Sequence, residues 1–189
     1  MFAQRPAQLR HWLAAAVLGA TATAAQADPF VPVPAVQVLV GRDAGKDIDK
    51  TELNLIWDTG WKWGNPQGWQ LNLDVELALA HWNAKSGTNR RNLFEAGVSP
   101  MFRLEYRGWS VVPYLEAGIG VRGLSHTSVS DEHRFSTAFQ FADTIGVGVS
   151  MGDRQQFALG YRFQHISNAN IKRPNPGVDF SQVYLRYRF

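Results

Sequence analysis

Apolar and polar side chains alternate over twelve consecutive positions that begin at Trp69. Every odd position is apolar, and these residues are Trp69, Leu71, Leu73, Val75, Leu77 and Leu79. The even positions are polar or small and include Asp74 and Glu76. Because successive side chains of a β-strand point to opposite faces, the pattern predicts a strand with one wholly apolar face. At about 3.3 Å per residue and a tilt of about 45°, such a strand rises about 25–30 Å, the height of the apolar band of a bilayer.

The same alternation recurs along the chain and predicts eight strands. Their predicted ranges are 35–40, 51–61, 69–80, 93–106, 109–122, 134–151, 155–167 and 179–189. The connections after the first, third, fifth and seventh strands are long and polar, whereas those after the fourth and sixth are tight turns at 107–108 and 152–153. Outer-membrane barrels combine long extracellular loops with short periplasmic turns. The sequence therefore predicts an all-β fold, an eight-stranded antiparallel transmembrane β-barrel of the bacterial outer membrane.

Charged residues and glycines occupy the faces opposite the apolar ones. The charged members are Asp74, Glu76, Glu95, Arg103, Glu105, Glu116, Arg122, Arg162, Arg186 and Arg188. Opposite charges can pair across a narrow lumen, so we expect the polar faces to line the interior. A soluble barrel of the lipocalin type is apolar inside instead, and the alternation alone does not distinguish the two. The length of the strands and the apolar last strand, which ends at Phe189, favour the membrane barrel.

Three residues depart from the regular pattern. Asp143 falls on the apolar face of the sixth predicted strand, where a β-bulge would turn its side chain elsewhere. Pro100 and Pro113 lie within strands that should be fully paired, although proline has no N–H to donate. All three residues are unusual for strands that are paired on both sides and face lipid on one side.

Residues 1–27 have the pattern of a secretory signal peptide. Arg5 and Arg10 precede the apolar run 12–20, and Ala25-Gln26-Ala27 forms an A-x-A cleavage site before Asp28. A buried N-terminal helix is the alternative. We expect export through the Sec pathway and a barrel domain that comprises residues 28–189.

Composition excludes several classes of function. The full 189-residue chain has 19 Lys and Arg residues against 16 Asp and Glu residues. Removal of residues 1–27 takes away Arg5 and Arg10, so residues 28–189 have 17 against 16 and lack the excess positive charge of a nucleic-acid-binding protein. The absence of cysteine excludes disulfides, thiolate zinc sites and cysteine nucleophiles. His126 and His133 share a loop with Asp131 and Glu132, but without the spacing of metal ligands, so we expect solvated side chains there.

A candidate for acyl-transfer chemistry lies at the outer end of the seventh predicted strand. His165 and Ser167 continue the face that carries Phe157 and Phe163 further down the strand, and Asp179 begins the corresponding face of the last strand. A serine, an imidazole and a carboxylate supply the nucleophile, the base and the orienting acid of a serine hydrolase. A site on the lipid-facing surface would act on a lipid.

The loop that follows contains groups that could stabilise an oxyanion. The side chains of Asn168 and Asn175, together with the backbone amides of the loop 168–177, are potential donors. The alternative is that these are ordinary rim residues, because His, Ser, Asn and Asp are all common where a strand meets a polar loop. The residues alone leave this choice open.

The segment 161–189, YRFQHISNANIKRPNPGVDFSQVYLRYRF, resembles the C-terminal signature of the outer-membrane lipid A 3-O-deacylases, the PagL family. The shared features are a His-x-Ser-Asn element, an Asn-Pro-Gly-like loop, an acidic residue and a terminal aromatic residue. The resemblance implies an eight-stranded barrel esterase that removes the 3-linked hydroxyacyl chain of lipid A, with a catalytic triad and without a metal or another cofactor.

The resemblance also implies roles for individual residues. Ser167 corresponds to the nucleophile, His165 to the base and Asp179 to the triad acid. Asn168 and Asn175 correspond to residues that form or order the oxyanion hole. The family pattern has glutamate where this chain has Asp179, and aspartate is one methylene shorter.

The expected partners are lipid A or lipopolysaccharide as substrate and the outer membrane as environment, with no nucleic acid. Five loop cations, Lys85, Arg90, Arg91, Lys172 and Arg173, are either solvated or attract lipid A phosphates. A non-enzymatic structural or adhesion barrel and a lipid A acyltransferase are the alternative functions. The oligomeric state stays open, a homodimer included.

Overall fold

The structure, a computed structural model, describes residues 35–43, 45 and 48–189. The eight strands are β1 (Ala35–Asp43), β2 (Ile48–Gly64), β3 (Trp69–Ala84), β4 (Leu93–Tyr106), β5 (Val112–Leu124), β6 (Phe139–Met151), β7 (Phe157–Ser167) and β8 (Val178–Arg188). Each strand pairs antiparallel with the next, and β8 pairs with β1 to close the barrel. The predicted fold class is confirmed. The predicted signal peptide, residues 1–27, lies outside the described residues. Within the described ranges, no helix is long and apolar enough to cross a membrane.

The polar faces line the lumen and the apolar faces point outwards, as the sequence predicts. Glu76, Glu116 and Arg162 are at most 2% exposed. Arg162 pairs with Glu76 at 2.6 Å and with Glu116 at 2.5 Å. On the outer surface Leu79 and Ile119 are 55% and 63% exposed. A charge buried without a partner is strongly destabilising, so paired charges inside and apolar side chains outside fit a barrel surrounded by lipid.

An apolar cluster fills the extracellular end of the lumen. Trp82 is fully buried there, and its ring lies 6.1 Å from that of Phe135 and 4.8 Å from that of Phe180. The Lys50 ammonium lies 5.7 Å from the Trp82 ring and pairs with Glu95 at 2.9 Å. This packing closes that end of the lumen to large molecules. The outer surface and the rim of the barrel are the parts that such molecules can reach.

The sixth strand begins later than the pattern predicts. The predicted range is 134–151, whereas β6 begins at Phe139, and Arg134 forms an isolated bridge with Ser128 instead. Phe135 is only 4% exposed and belongs to the apolar cluster. Burial of this ring draws residues 134–138 over the barrel mouth, so the prediction of a strand there is wrong.

Both prolines lie where strand pairing is interrupted. Pro100 faces a gap in the β4–β5 pairing, between the pairs at Val98 and Met101. Pro113 lies one residue before Tyr114, the first residue of β5 that pairs with β4. A residue without an N–H is tolerated at such positions because the ladder is already incomplete.

Candidate active site

The pairing of β7 with β8 places His165 directly opposite Asp179. Both side chains lie on the outer face, where 38% of the imidazole and 54% of the carboxylate are exposed. A hydrogen bond of 2.5 Å joins His165 Nδ1 to Asp179 Oδ1. The directly opposed position allows an aspartate to reach the ring although it is shorter than glutamate. A carboxylate that accepts the Nδ1 proton leaves Nε2 as the nitrogen that can act as a base.

Ser167 is the last residue of β7 and shares the outward parity of His165. On the adjacent strand β6, Phe141 lies directly opposite Ser167. Residues two apart on a strand have Cα atoms about 6–7 Å apart and point to the same side. Among the described residues, no group forms a hydrogen bond with the Ser167 hydroxyl. This is compatible with a nucleophile, because the serine–histidine hydrogen bond of hydrolases often tightens only when substrate binds. The structure therefore brings the serine to the same patch as the hydrogen-bonded His165–Asp179 pair.

Gly177 lies against the free edge of the His165 ring. Its φ of 63° falls in the left-handed region that favours glycine. The β7–β8 loop thus approaches the imidazole closely with bare backbone. This contact limits the positions that the ring can take.

The buried side chain of Asn168 orders the loop that follows Ser167. Its Nδ2 donates to Ser136 Oγ at 2.8 Å and to the carbonyl oxygen of Lys172 at 2.7 Å. Ser136 Oγ donates to the same carbonyl at 2.7 Å. Because both amide protons have acceptors, the Asn168 side chain supports the loop and is not free to donate to a substrate.

Other donors in this loop remain available. Asn175 Oδ1 accepts the backbone N–H of Asn168 at 3.0 Å, which leaves the Nδ2 of Asn175 free to donate. Ala169 and Asn170 have φ angles of 52° and 61°, and within the described chain their N–H groups have no acceptor. Donors without partners near a nucleophile are what an oxyanion requires. Asparagine tolerates this backbone conformation but alanine rarely adopts it. The sequence therefore provides little indication that these two N–H groups are donors.

Asp143 on β6 is the neighbour of His165 on the side opposite Asp179. The pairing of β6 with β5 and β7 runs without a register shift through this residue, so the predicted bulge is wrong. The Asp143 side chain is exposed on the lipid-facing surface and has no ion pair or hydrogen bond with the described residues. Carboxylates on a lipid face are unfavourable and mark functional positions. The sequence showed the anomaly but not its position beside His165.

An apolar groove begins at His165 and Asp143 and extends across the outer face of β4 to β7. Its volume is about 640 Å³. The apolar lining residues are Pro100, Phe102, Ala117, Ile119, Ile145 and Phe163. It includes the gap in pairing at Pro100 and is large enough for a flexible hydrocarbon chain. The groove and the His165–Asp179 pair thus form one continuous surface.

The loop residues have varied surroundings. His133 is 6% exposed and packs edge-on against Phe135, so the expectation of a solvated side chain is wrong for it. His126 Nδ1 bonds Ser125 Oγ at 3.0 Å. No group of three or more potential metal ligands occurs in the part of the chain that the structure describes. Among the loop cations, Lys85 pairs with Asp49 at 3.3 Å.

Comparison with known proteins identifies relatives of this barrel. The family described as lipid A 3-O-deacylase (PagL) matches residues 50–188. The lipid A deacylase PagL of Bordetella bronchiseptica is 36% identical over 147 residues, which are 77% of this chain and 79% of the relative. The corresponding protein of Pseudomonas aeruginosa is 30% identical over 135 residues, 71% of this chain and 75% of the relative.

Among solved structures, that of the outer membrane enzyme PagL aligns with a TM-score of 0.73 and 27% identity. The alignment covers 82% of this chain and 99% of that chain. The barrel, the outward-facing His165–Asp179 pair and the matches to sequence relatives lead to one assignment. The chain belongs to the lipid A 3-O-deacylase (PagL) family and is a β-barrel of the bacterial outer membrane.

Proposed function

We propose that this protein is a serine esterase that hydrolyses the ester-linked 3-hydroxyacyl chain at position 3 of lipid A. The observation that carries the proposal is the hydrogen-bonded His165–Asp179 pair, with Ser167 beside it, on the lipid-facing surface. Family membership supports lipid A as the substrate, because the curated relatives are lipid A deacylases. A site turned towards the membrane meets its substrate without removing it from the outer leaflet.

In the first step Ser167 Oγ attacks the ester carbonyl carbon, and His165 Nε2 accepts the hydroxyl proton. Asp179 holds the Nδ1 proton and stabilises the imidazolium that forms. The free amide of Asn175 and the backbone N–H groups of Ala169 and Asn170 are donors for the oxyanion. His165 then returns the proton to the sugar oxygen as the ester bond breaks. Water, activated by the same imidazole, releases the hydroxy fatty acid from the serine.

The groove supports a hydroxyacyl chain as the group that is released. Its apolar lining suits the hydrocarbon, and the ester end of the chain would lie beside His165. A carboxylate is a hydrogen-bond acceptor only. Asp143 can therefore accept the proton of the hydroxyl group that such a chain carries near its ester, which would offset the cost of placing the carboxylate on the lipid-facing surface.

The test is the mass of lipid A from cells that express the protein or its Ser167→Ala variant. We expect the parent to release free 3-hydroxy fatty acid and shorten lipid A by that chain, and the variant to leave lipid A intact. Ser181→Ala is the matched control, because Ser181 is an outward-facing serine on β8 that bonds the Tyr161 hydroxyl. Shortening by the folded Ser167→Ala barrel would refute the serine mechanism. A gain of an acyl chain by lipid A would indicate an acyltransferase. Lipid A that stays unchanged in cells that express the parent protein would indicate a non-enzymatic barrel.

A further inference from the structure

Five arginines surround a pocket at the periplasmic end of the barrel, opposite the end that carries His165. They are Arg103, Arg107, Arg154, Arg186 and Arg188. The pocket has a volume of about 50 Å³. One water molecule needs about 10–15 Å³ of such space, so the pocket has room for several waters or for one anion of the size of phosphate.

The two tight turns and the last strand hold this pocket together. Gln155 Nε2, in the β6–β7 turn, donates to the carbonyl oxygen of Ser110 in the β4–β5 turn at 3.0 Å. The backbone N–H of Arg188 donates to the carbonyl oxygen of Gln156 at 2.8 Å. The exposed arginines are therefore carried by backbone segments that are bonded to each other.

Carboxylates neutralise only part of this positive charge. Glu105 is the single acidic residue among those that line the pocket, and it pairs with Arg107 at 3.0 Å. Arg188 lies 3.7 Å from Asp58. Arg154 has no ion pair within the described ranges, although Asp153 precedes it in the turn. The mouth of the pocket therefore has a net positive charge.

The two inner arginines are buried and incompletely bonded. Arg103 and Arg186 are 3% and 5% exposed. Arg103 donates to Glu116 at 3.0 Å, and Arg186 donates to Glu76 at 3.0 Å. Arg103 Nε nevertheless has no hydrogen-bond partner among the described residues, and neither has Arg186 Nη1, although Asp74 Oδ2 lies 3.6 Å from the latter. Because a buried donor without an acceptor is destabilising, an acceptor bound in the pocket would stabilise the barrel.

We propose that this pocket binds a phosphate group. Guanidinium groups form paired, charge-assisted hydrogen bonds with phosphate oxygens, and several that converge on one pocket favour a multiply charged oxyanion. The tight turns lie at the level of the inner-leaflet headgroups. The phosphate can therefore come from free periplasmic phosphate or from the headgroup of an inner-leaflet phospholipid.

Phosphorus NMR of the folded barrel in alkyl maltoside micelles, which contain no phosphorus, tests the proposal. Inorganic phosphate and dihexanoyl phosphatidylglycerol are titrated in separate arms. We expect at least one of them to bind, and the double substitution Arg107→Gln and Arg154→Gln to weaken its Kd about a hundredfold, tenfold for each guanidinium group removed. The matched control is Arg90→Gln with Arg173→Gln, which removes the same charge from the extracellular loops.

Binding of inorganic phosphate supports a site for the free anion, whereas binding of phosphatidylglycerol alone supports a headgroup site. Failure of both to bind, or equal weakening by both double variants, overturns the proposal. The heat-dependent shift of the barrel in electrophoresis reports folding. If the double variant does not fold, Arg154→Gln alone is used, because Arg154 has no ion pair within the described barrel. Arg103 and Arg186 are left intact because they also belong to the ion-pair network of the lumen.

Discussion

A Cβ atom at Gly177 would lie 2.8 Å from Cε1 and 3.5 Å from Nε2 of His165. The absence of a side chain at Gly177 therefore allows the imidazole to keep its place beside Asp179. The same glycine has a φ of 63°, so two independent constraints act at this position. The loop is thus part of what positions the proposed base.

We predict that Gly177→Ala lowers kcat at least about tenfold, since small displacements of reacting groups have large effects on rate. The added methyl would collide with the His165 ring and displace it. Deacylation of lipid A in mixed micelles measures the effect. Gly45→Ala is the control, because a Cβ there has nothing within 4 Å among the described residues. Equal activity of the folded Gly177→Ala variant and the parent would contradict this role of the glycine.

Asp179 should be replaceable by glutamate but not by asparagine. Asp179→Asn removes the charge that stabilises the imidazolium and should lower kcat by about 10⁴, as in other triads. Asp179→Glu retains the carboxylate and should keep a large part of the activity. Initial rates of fatty acid release measure both, with Asp153→Asn in a periplasmic turn as the control. A fully active Asp179→Asn barrel would mean that Ser167 and His165 act without this acid.

Asp143 should determine the preference for a hydroxylated acyl chain. Asp143→Leu removes the acceptor and should reduce discrimination between 3-hydroxyacyl and unsubstituted acyl esters about tenfold, the contribution of one charge-assisted hydrogen bond. The same change removes a carboxylate from the lipid-facing surface and should stabilise the barrel by up to about 2 kcal/mol. Competition between the two esters and urea unfolding in vesicles measure the two effects. Unchanged discrimination would exclude the contact with the hydroxyl.

Ser136 should affect the reaction although it lies in a different loop from the proposed nucleophile. Ser136→Ala removes the hydroxyl that joins Asn168 to the Lys172 carbonyl. We expect kcat to fall several-fold with KM nearly unchanged, because the loop that carries the oxyanion donors becomes less ordered while the groove is intact. Ser136→Thr should retain activity. Ser128→Ala, in the same loop, removes a bond to the Ser130 carbonyl instead and is the control. A change in KM alone would point to substrate binding.

The strands and their orientation were predictable from sequence because the two-residue period of a strand is a local property. The apolar parity of β3 and the charges at Glu76 and Arg162 indicated which face is inside, and the structure confirms it. The beginning of β6 was not predictable in this way. Phe135 continues the apolar pattern of β6. Its ring, however, packs on Trp82 of β3, more than fifty residues earlier in the chain, and this contact holds Phe135 outside β6.

For the candidate site, the sequence by itself placed His165 and Ser167 on one face, since they are two residues apart on one strand. The tertiary structure decided what lies beside them. Register between strands depends on contacts around the whole closed barrel, and it brings Asp179 and Asp143 to opposite sides of His165. The alternation along β6 showed that Asp143 is a charged residue on the apolar face. It could not show that His165 is the neighbour of Asp143, because alternation within one strand does not say which residues of different strands are paired.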